Sequence, residues 1–142
     1  MSLEAAKELA PTGVLRAAIN MSNFLLVTGR TAGGDPDGVS PDMARELAKR
    51  LGVDLQLIQY KTPGEVSDDA GKGIWDIGNI GAEPKRAEKI DFTAAYCEIQ
   101  STYMVPPGSK ITSLDQVDQR GNRIAVSARS AYDLWLERNI KN

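Results

Sequence analysis

The sequence predicts an α/β protein with a mostly parallel sheet flanked by helices, and three observations carry that expectation. Short apolar runs at residues 14–19, 53–60 and 75–77 are too brief for buried helices and fit strands. Between the first two lies a segment with full helix punctuation: Ser40, Pro41 and Asp42 at its start and Gly52 at its end. Strand, helix, strand, helix, strand is the succession parallel strands require, because each needs a crossover to bring the chain back to the same edge.

Residues 1–11 read as an N-terminal extension ahead of a Pro11-Thr12-Gly13 turn. The first strand follows over 14–19, with Arg16 as its one polar interruption. Residues 28–38 are rich in Gly, Asp and Pro and are expected to be loop. A helix is expected over 41–51 with Ser40 as its N-cap. Its apolar stripe is Met43, Leu47 and Leu51, widened by Ala44 and Ala48, while Asp42 and Glu46 face solvent. Residues 53–60 alternate and form the second strand, 65–72 a short helix ending at Gly73, and 75–77 the third strand. An extended stretch over 92–105 passes through Tyr96, Ile99 and Tyr103 to Pro106-Pro107-Gly108. A turn at 114–117, a strand at 122–126 and a helix at 130–138 complete the chain. One strand and one helix bury too little surface to stand alone, so this last part is expected to be the start of an incomplete second unit. Trp75 and Trp135 are expected to pack, and Cys97 to be a small buried apolar residue.

The composition excludes several chemistries. With 142 residues, 42% hydrophobic and 25% charged, the chain holds one core and the start of another. Its net charge of −2 is spread along the sequence, which leaves no basic face for nucleic acid and no polybasic membrane patch. Histidine is absent and Cys97 is the single cysteine. Histidine acid/base catalysis, Ser-His-Asp triads, His or multi-Cys zinc sites and an intrachain disulfide are therefore ruled out, which leaves carboxylates, Arg, Lys, hydroxyls and amides. No apolar run reaches the roughly 18–20 residues that cross a bilayer, so direct membrane insertion is not expected. The first residues, MSLEAAK, are too polar for a signal peptide, and a signal is expected to have been removed.

Ligands of open parallel sheets bind beyond the carboxyl ends of the strands. Three loops leave such ends: 20–24, 78–86 and 127–132. Gly78 and Gly81 would let backbone approach a ligand closely. Asn23 and Asn79 offer paired donors and acceptors, and Arg86 offers a planar fork that matches a carboxylate. Ser130, at the start of the last helix, adds a hydroxyl beside open backbone N–H groups. Plainer readings stand beside these: Arg86 as the partner of Glu83 on a solvated face, the two glycines as a simple turn, and Phe24 as either packing or ligand wall.

Five motifs then carry a resemblance: GVLRAAIN (13–20), GVSPDMARELAKRLG (38–52), GIWDI (73–77), RAEKIDFTAAY (86–96) and RIAV (123–126). In this order they resemble the bacterial extracellular solute-binding proteins of the polar amino-acid uptake family, over about residues 12–138. The resemblance implies a periplasmic-binding-protein-like fold in which two α/β lobes close on a small solute and deliver it to the membrane permease of an ABC importer. Residues 12–105 would be the first ligand-binding lobe, and 106–142 the hinge crossing and an incomplete second lobe. By position it implies that Arg86 holds the ligand carboxylate, that Asn79 and Gly81 form the polar loop before it, and that Asn20 and Asn23, with Phe24 as wall, form the loop after the first strand. Ser130 would be the second-lobe hydroxyl, in a loop with Ser127 and Tyr132. The implied ligand is an amino acid or organic acid, and the implied compartment the periplasm; as a binding protein the chain is expected to have no catalytic residue, metal or cofactor. Where the family has Thr before the arginine this chain has Glu83, and where the second lobe has Gly before its hydroxyl it has Arg129; these departures point to a more polar or more acidic ligand. The same fold also resembles periplasmic dehydratases of prephenate-like or arogenate-like acids and the sensor modules of receptors. A dehydratase would need a carboxylic acid in the cleft, and Glu83 is the sole carboxylate of the three loops.

Overall fold

The computed structural model describes residues 3–142, which divide into two compact units, the first ending at Ile90 and the second running from Asp91 to Asn142. The first is organised around strand β1, Val14–Asn20, which lies between β4, Asp54–Tyr60, and β5, Ile77–Gly78, with both neighbours parallel. Seven consecutive pairs run from Val14–Asp54 to Asn20–Tyr60, and β5 pairs at Ala17–Ile77 and Ala18–Gly78. The parallel three-stranded core expected from the apolar runs is present.

Both faces of β1 are covered. Side chains alternate along a strand, so Leu15, Ala17 and Ile19 share one face, where they meet Ala44 and Ala48 of helix α2, Val39–Leu51. Ala18 points the other way, to Tyr60 and to Val66 of helix α3, Pro63–Asp68. Two-sided burial is why this strand reads as a nearly unbroken apolar run. Just beyond helix α1, Leu3–Leu9, Ala10 joins Leu15 and Ala48 in a cluster against which Leu9, Leu47 and Leu51 pack.

Arg16, the interruption in that run, is clamped by Asp76. Its backbone N–H and its Nε each donate to Asp76 Oδ2 at 2.9 Å, and Nη2 reaches Oδ1. Nη1 donates to the Gly73 carbonyl. The Asp76 N–H donates back to the Arg16 carbonyl at 2.9 Å, so this residue joins β1 to the chain entering β5. Burial pushes the Asp76 carboxyl upward, but the Arg16 side-chain and backbone hydrogen bonds together outweigh it and hold it below its ordinary value.

Several local expectations are corrected. Helix α2 begins at Val39 rather than 41, and its N-cap is Gly38, with no side-chain cap. Backbone replaces the expected Ser40 hydroxyl: the Ser40 N–H donates to the Leu26 carbonyl and the Thr28 N–H to that of Asp37, both at 2.9 Å. The buried stripe of α2 is Ser40, Pro41, Ala44 and Ala48, small residues that allow close approach to the sheet, and Met43 is 43% exposed on the adjoining stripe. Helix α3 starts earlier than residue 65 because Thr62 and Glu65 form a capping box. Within the loop expected over 28–38, β2, Gly29–Arg30, and β3, Pro36–Asp37, form a two-residue antiparallel ladder. Trp75 packs as expected, against the Ala18, Tyr60 and Val66 cluster, with Nε1 donating to the Val66 carbonyl at 3.1 Å.

The second unit contains a 3-10 turn, Leu114–Gln116, and helix α5, Ala131–Asn139; helix α4, Pro84–Ala87, belongs to the first. The strand expected at 122–126 does not form, because no described segment pairs with it. Side chains hold this region instead: Asn122 Nδ2 donates to the Gln116 and Val117 carbonyls, each at 2.9 Å. Residues 92–105 likewise adopt no strand. With little packed around them, Cys97 is exposed rather than buried, and Trp135 is 48% exposed. Leu134 is the buried residue of α5.

Two outcomes test this geometry. Gly38 has φ 129°, and a Cβ there would stand 2.7 Å from the Leu26 carbonyl oxygen and 2.9 Å from the Thr28 nitrogen, whereas at Gly52, φ 72°, it would meet open space. Gly52→Ala should cost about 1–2 kcal/mol through left-handed strain, and Gly38→Ala clearly more in urea unfolding; equal losses would contradict the close approach. Because the folded Asp76 pKa is depressed, its contribution is complete above the ordinary carboxylate value of about 3.9 and is lost as pH falls through the folded value. Asp76→Asn should lower stability at pH 7 and flatten the acid limb of the stability profile; an unchanged acid limb would assign that limb to other carboxylates.

Candidate functional site

Parallel pairing sends β1, β4 and β5 out at one edge, so the segments that follow them gather there. Asn20 ends β1 and is 8% exposed. Its Oδ1 accepts from the Ser22 N–H at 3.1 Å and the Ser22 hydroxyl at 2.7 Å, a side-chain-closed turn that bends the chain immediately after the strand. The Met21 N–H ties the same point to the Tyr60 carbonyl at 2.9 Å. Asn23 repeats the device: its Oδ1 accepts from the Leu25 N–H at 3.3 Å, and its carbonyl accepts from Leu26 and Val27. Phe24, at the outer end of this loop, is 78% exposed.

On the β5 side, Gly78 packs against core rather than opening toward a ligand, since a Cβ there would contact Val66, Ala18 and Trp75 at 3.5–3.8 Å. Asn79 follows, and its Nδ2 donates to the Ser40 carbonyl at 2.9 Å, pinning the loop to the first turn of α2. Ser40 thus links three segments through its backbone, a role the sequence reading missed because it treated Ser40 only as a cap. Gly81 presents its carbonyl to Arg86 Nη1 at 2.8 Å. Arg86 lies in α4 and is 3% exposed, and Glu83, the N-cap residue of that helix, is also buried. Neither lies on a solvated face, so the solvated position of the plainer reading is corrected. Burial pushes the Arg86 guanidinium below its ordinary pKa, and the Glu83 charge opposes that shift.

At the end of β4, Tyr60 donates its hydroxyl proton to Asp69 Oδ2 at 2.9 Å. Burial and then this bond push its pKa up to about 12. The sequence reading passed over this residue as the last position of an alternating strand.

Within the second unit, Ser130 caps α5: its Oγ accepts from the Asp133 N–H at 3.2 Å, and its own N–H donates to the Ser127 carbonyl. The Asp133 carboxylate accepts from the Arg129 N–H at 2.6 Å, and Arg129 has φ 59°. Ser127 is exposed and Tyr132 is 48% exposed. Asn20, Asn23, Phe24, Asn79, Gly81 and Arg86 thus follow neighbouring strands of one sheet, while Ser127, Ser130 and Tyr132 belong to the other unit. Among the described residues no three His, Cys, Asp or Glu side chains are grouped to hold a metal ion, and no helix is long and apolar enough to cross a membrane.

This arrangement can be set beside known proteins. The L-cystine-binding protein TcyJ of Escherichia coli K12 is 28% identical over 109 residues, covering 76% of this chain and 41% of TcyJ, so the chain spans about two fifths of that relative. The ancestral amino acid-binding protein AncCDT-1 superposes with a TM-score of 0.76 at 21% identity, over 96% of this chain and 61% of its own, a likeness of fold. An ancestral cyclohexadienyl dehydratase, AncCDT-3(P188L), gives a TM-score of 0.55 at 26% identity, over 65% of this chain and 38% of its own. The sheet with its helices is accordingly a periplasmic-binding-protein-like α/β arrangement. Residues 18–139, from the centre of β1 to the end of α5, match one family description throughout, and the chain belongs to the bacterial extracellular solute-binding proteins, family 3.

Proposed function

We propose that this protein captures an amino acid, or a similar small solute bearing a carboxylate, between two lobes in the periplasm and passes it to the membrane permease of an ABC importer. Residues 12–105 would supply the first lobe, and 106–142 the hinge crossing and the beginning of the second. The observation that carries the reading is Arg86: a nine-tenths-buried guanidinium on the segment after β5, oriented by the Gly81 carbonyl, in a family of solute-binding proteins. Relatives named for L-cystine and for amino acids support the ligand class.

In this reading Arg86, held by the Gly81 carbonyl, meets the ligand carboxylate with its planar guanidinium. The Nδ2 of Asn23 and the Oδ1 of Asn79 make no hydrogen bond among the described residues, so they retain one donor and one acceptor for the ligand. Asn20 shapes the loop, and Phe24 supplies an apolar wall. From the second lobe, Ser130 accepts from its own helix and keeps its hydroxyl proton to donate, with Ser127 and Tyr132 beside it in sequence. None of these roles needs a metal or cofactor.

The likeness to a dehydratase raises a second reading, in which Glu83 would act as general acid. Formation of an aromatic product from prephenate would favour it over transport.

Calorimetry with the common amino acids and L-cystine tests the leading reading. Arg86→Ala should weaken binding by about 2–5 kcal/mol, the range for stranding a buried charge partner. Arg86→Lys should fail similarly, since a point charge does not replace a planar fork. Unchanged affinity in a folded Arg86→Ala variant would remove the anchor role.

A further inference from the structure

We propose that Glu83 sets the charge class of the ligand, so that the site selects solutes carrying their own positive charge, zwitterionic or cationic amino acids, and discriminates against dicarboxylates. The inference rests on the reading of Arg86 as carboxylate anchor. Glu83 and Arg86 are 7% and 3% exposed and lie three residues apart in one turn. The N–H groups of Arg86 and Ala87 both donate to the Glu83 carbonyl at 2.9 Å, so the backbone holds the two charged residues in a fixed relation. The Glu83 charge is felt at Arg86, where it opposes the effect of burial.

The buried Glu83 carboxylate and Arg86 guanidinium sum to zero, while Lys85 between them in sequence is exposed and screened by water. When a ligand carboxylate arrives at Arg86, the two buried residues and the ligand group together carry one net negative charge. Away from water that excess costs several-fold more than in bulk solvent. An ammonium or guanidinium on the same ligand relieves it, and a second carboxylate doubles it. With an uncharged residue in place of Glu83, a monocarboxylate would neutralise the buried Arg86, and a dicarboxylate would carry a smaller penalty. No other Asp or Glu occurs in residues 20–24 or 79–86, so the effect traces to one side chain. From sequence alone Glu83 counts among departures pointing to a more polar or more acidic ligand; its burial beside Arg86 favours the polar choice and turns against the acidic one.

The test is calorimetric titration of the common amino acids and L-cystine into the protein and into Glu83→Gln, at neutral pH and low ionic strength. In the wild type, glutamate and aspartate should bind at least about tenfold more weakly than the best zwitterionic or cationic ligand. In Glu83→Gln that gap should shrink to about threefold or less. A wild-type protein that binds glutamate or aspartate as tightly as any other amino acid overturns the proposal whether or not the variant folds, and leaves the binding reading intact. A folded Glu83→Gln that keeps the full gap overturns the assignment to Glu83. If nothing in the panel binds, the amino-acid reading fails and this inference fails with it.

Discussion

Strand β1 is hydrogen-bonded in parallel along both edges and covered on both faces, and the rest of the first unit depends on that double confinement. A strand so placed tolerates little side-chain volume, which accounts for Ala17 and Ala18 at its centre and for Ala44 and Ala48 on the helix that faces it. It also fixes register, since a slip of one residue would exchange Ile19 for Ala18 and turn Arg16 into the α2 interface. Asp76 adds a specific lock by accepting from both the backbone and the guanidinium of Arg16. With register set, the segments after β1 and β5 leave side by side, which brings Asn20, Asn23, Asn79 and Arg86 to one edge.

What lies at that edge is organised chiefly by its own hydrogen bonds. Asn20 and Asn23 close the loop after β1, Asn79 fastens the loop after β5 to α2, and the Gly81 carbonyl orients Arg86. Groups held in this way lose little freedom when a ligand arrives, so binding energy is not spent on ordering them. The asparagines serve a candidate site mainly by holding it in shape, while Arg86 and Glu83 supply its charge. Their joint burial ties the two roles together, because a charged side chain without a nearby opposite charge would be costly at such depth.

The features legible in the sequence were those decided by local pattern. The apolar runs at 14–19 and 53–60 mark β1 and β4 nearly to the residue, and Gly52 is the left-handed cap of α2 as expected. The start of α2 was misread because the Leu26 carbonyl, from a distant part of the sequence, accepts a first-turn N–H, which sequence spacing does not display. Thr62 and Glu65 did signal the true start of α3, and that signal was overlooked. The strand at 122–126 was misjudged for a different reason: ladder formation needs a partner, and local pattern says nothing of whether one is present. For the site, the parallel-sheet rule located the loops, but the burial of Arg86 and Glu83 depends on what packs over them and was out of reach.

We propose that ligand binds beyond the carboxyl ends of β1 and β5. Backbone amide chemical shifts, followed by NMR during titration with the tightest-binding amino acid, address it directly. The largest changes are expected at residues 20–27, in the first turn of α2 and at residues 79–87. Changes concentrated instead at residues 10–13 and 51–53, at the amino end of the sheet, would contradict it.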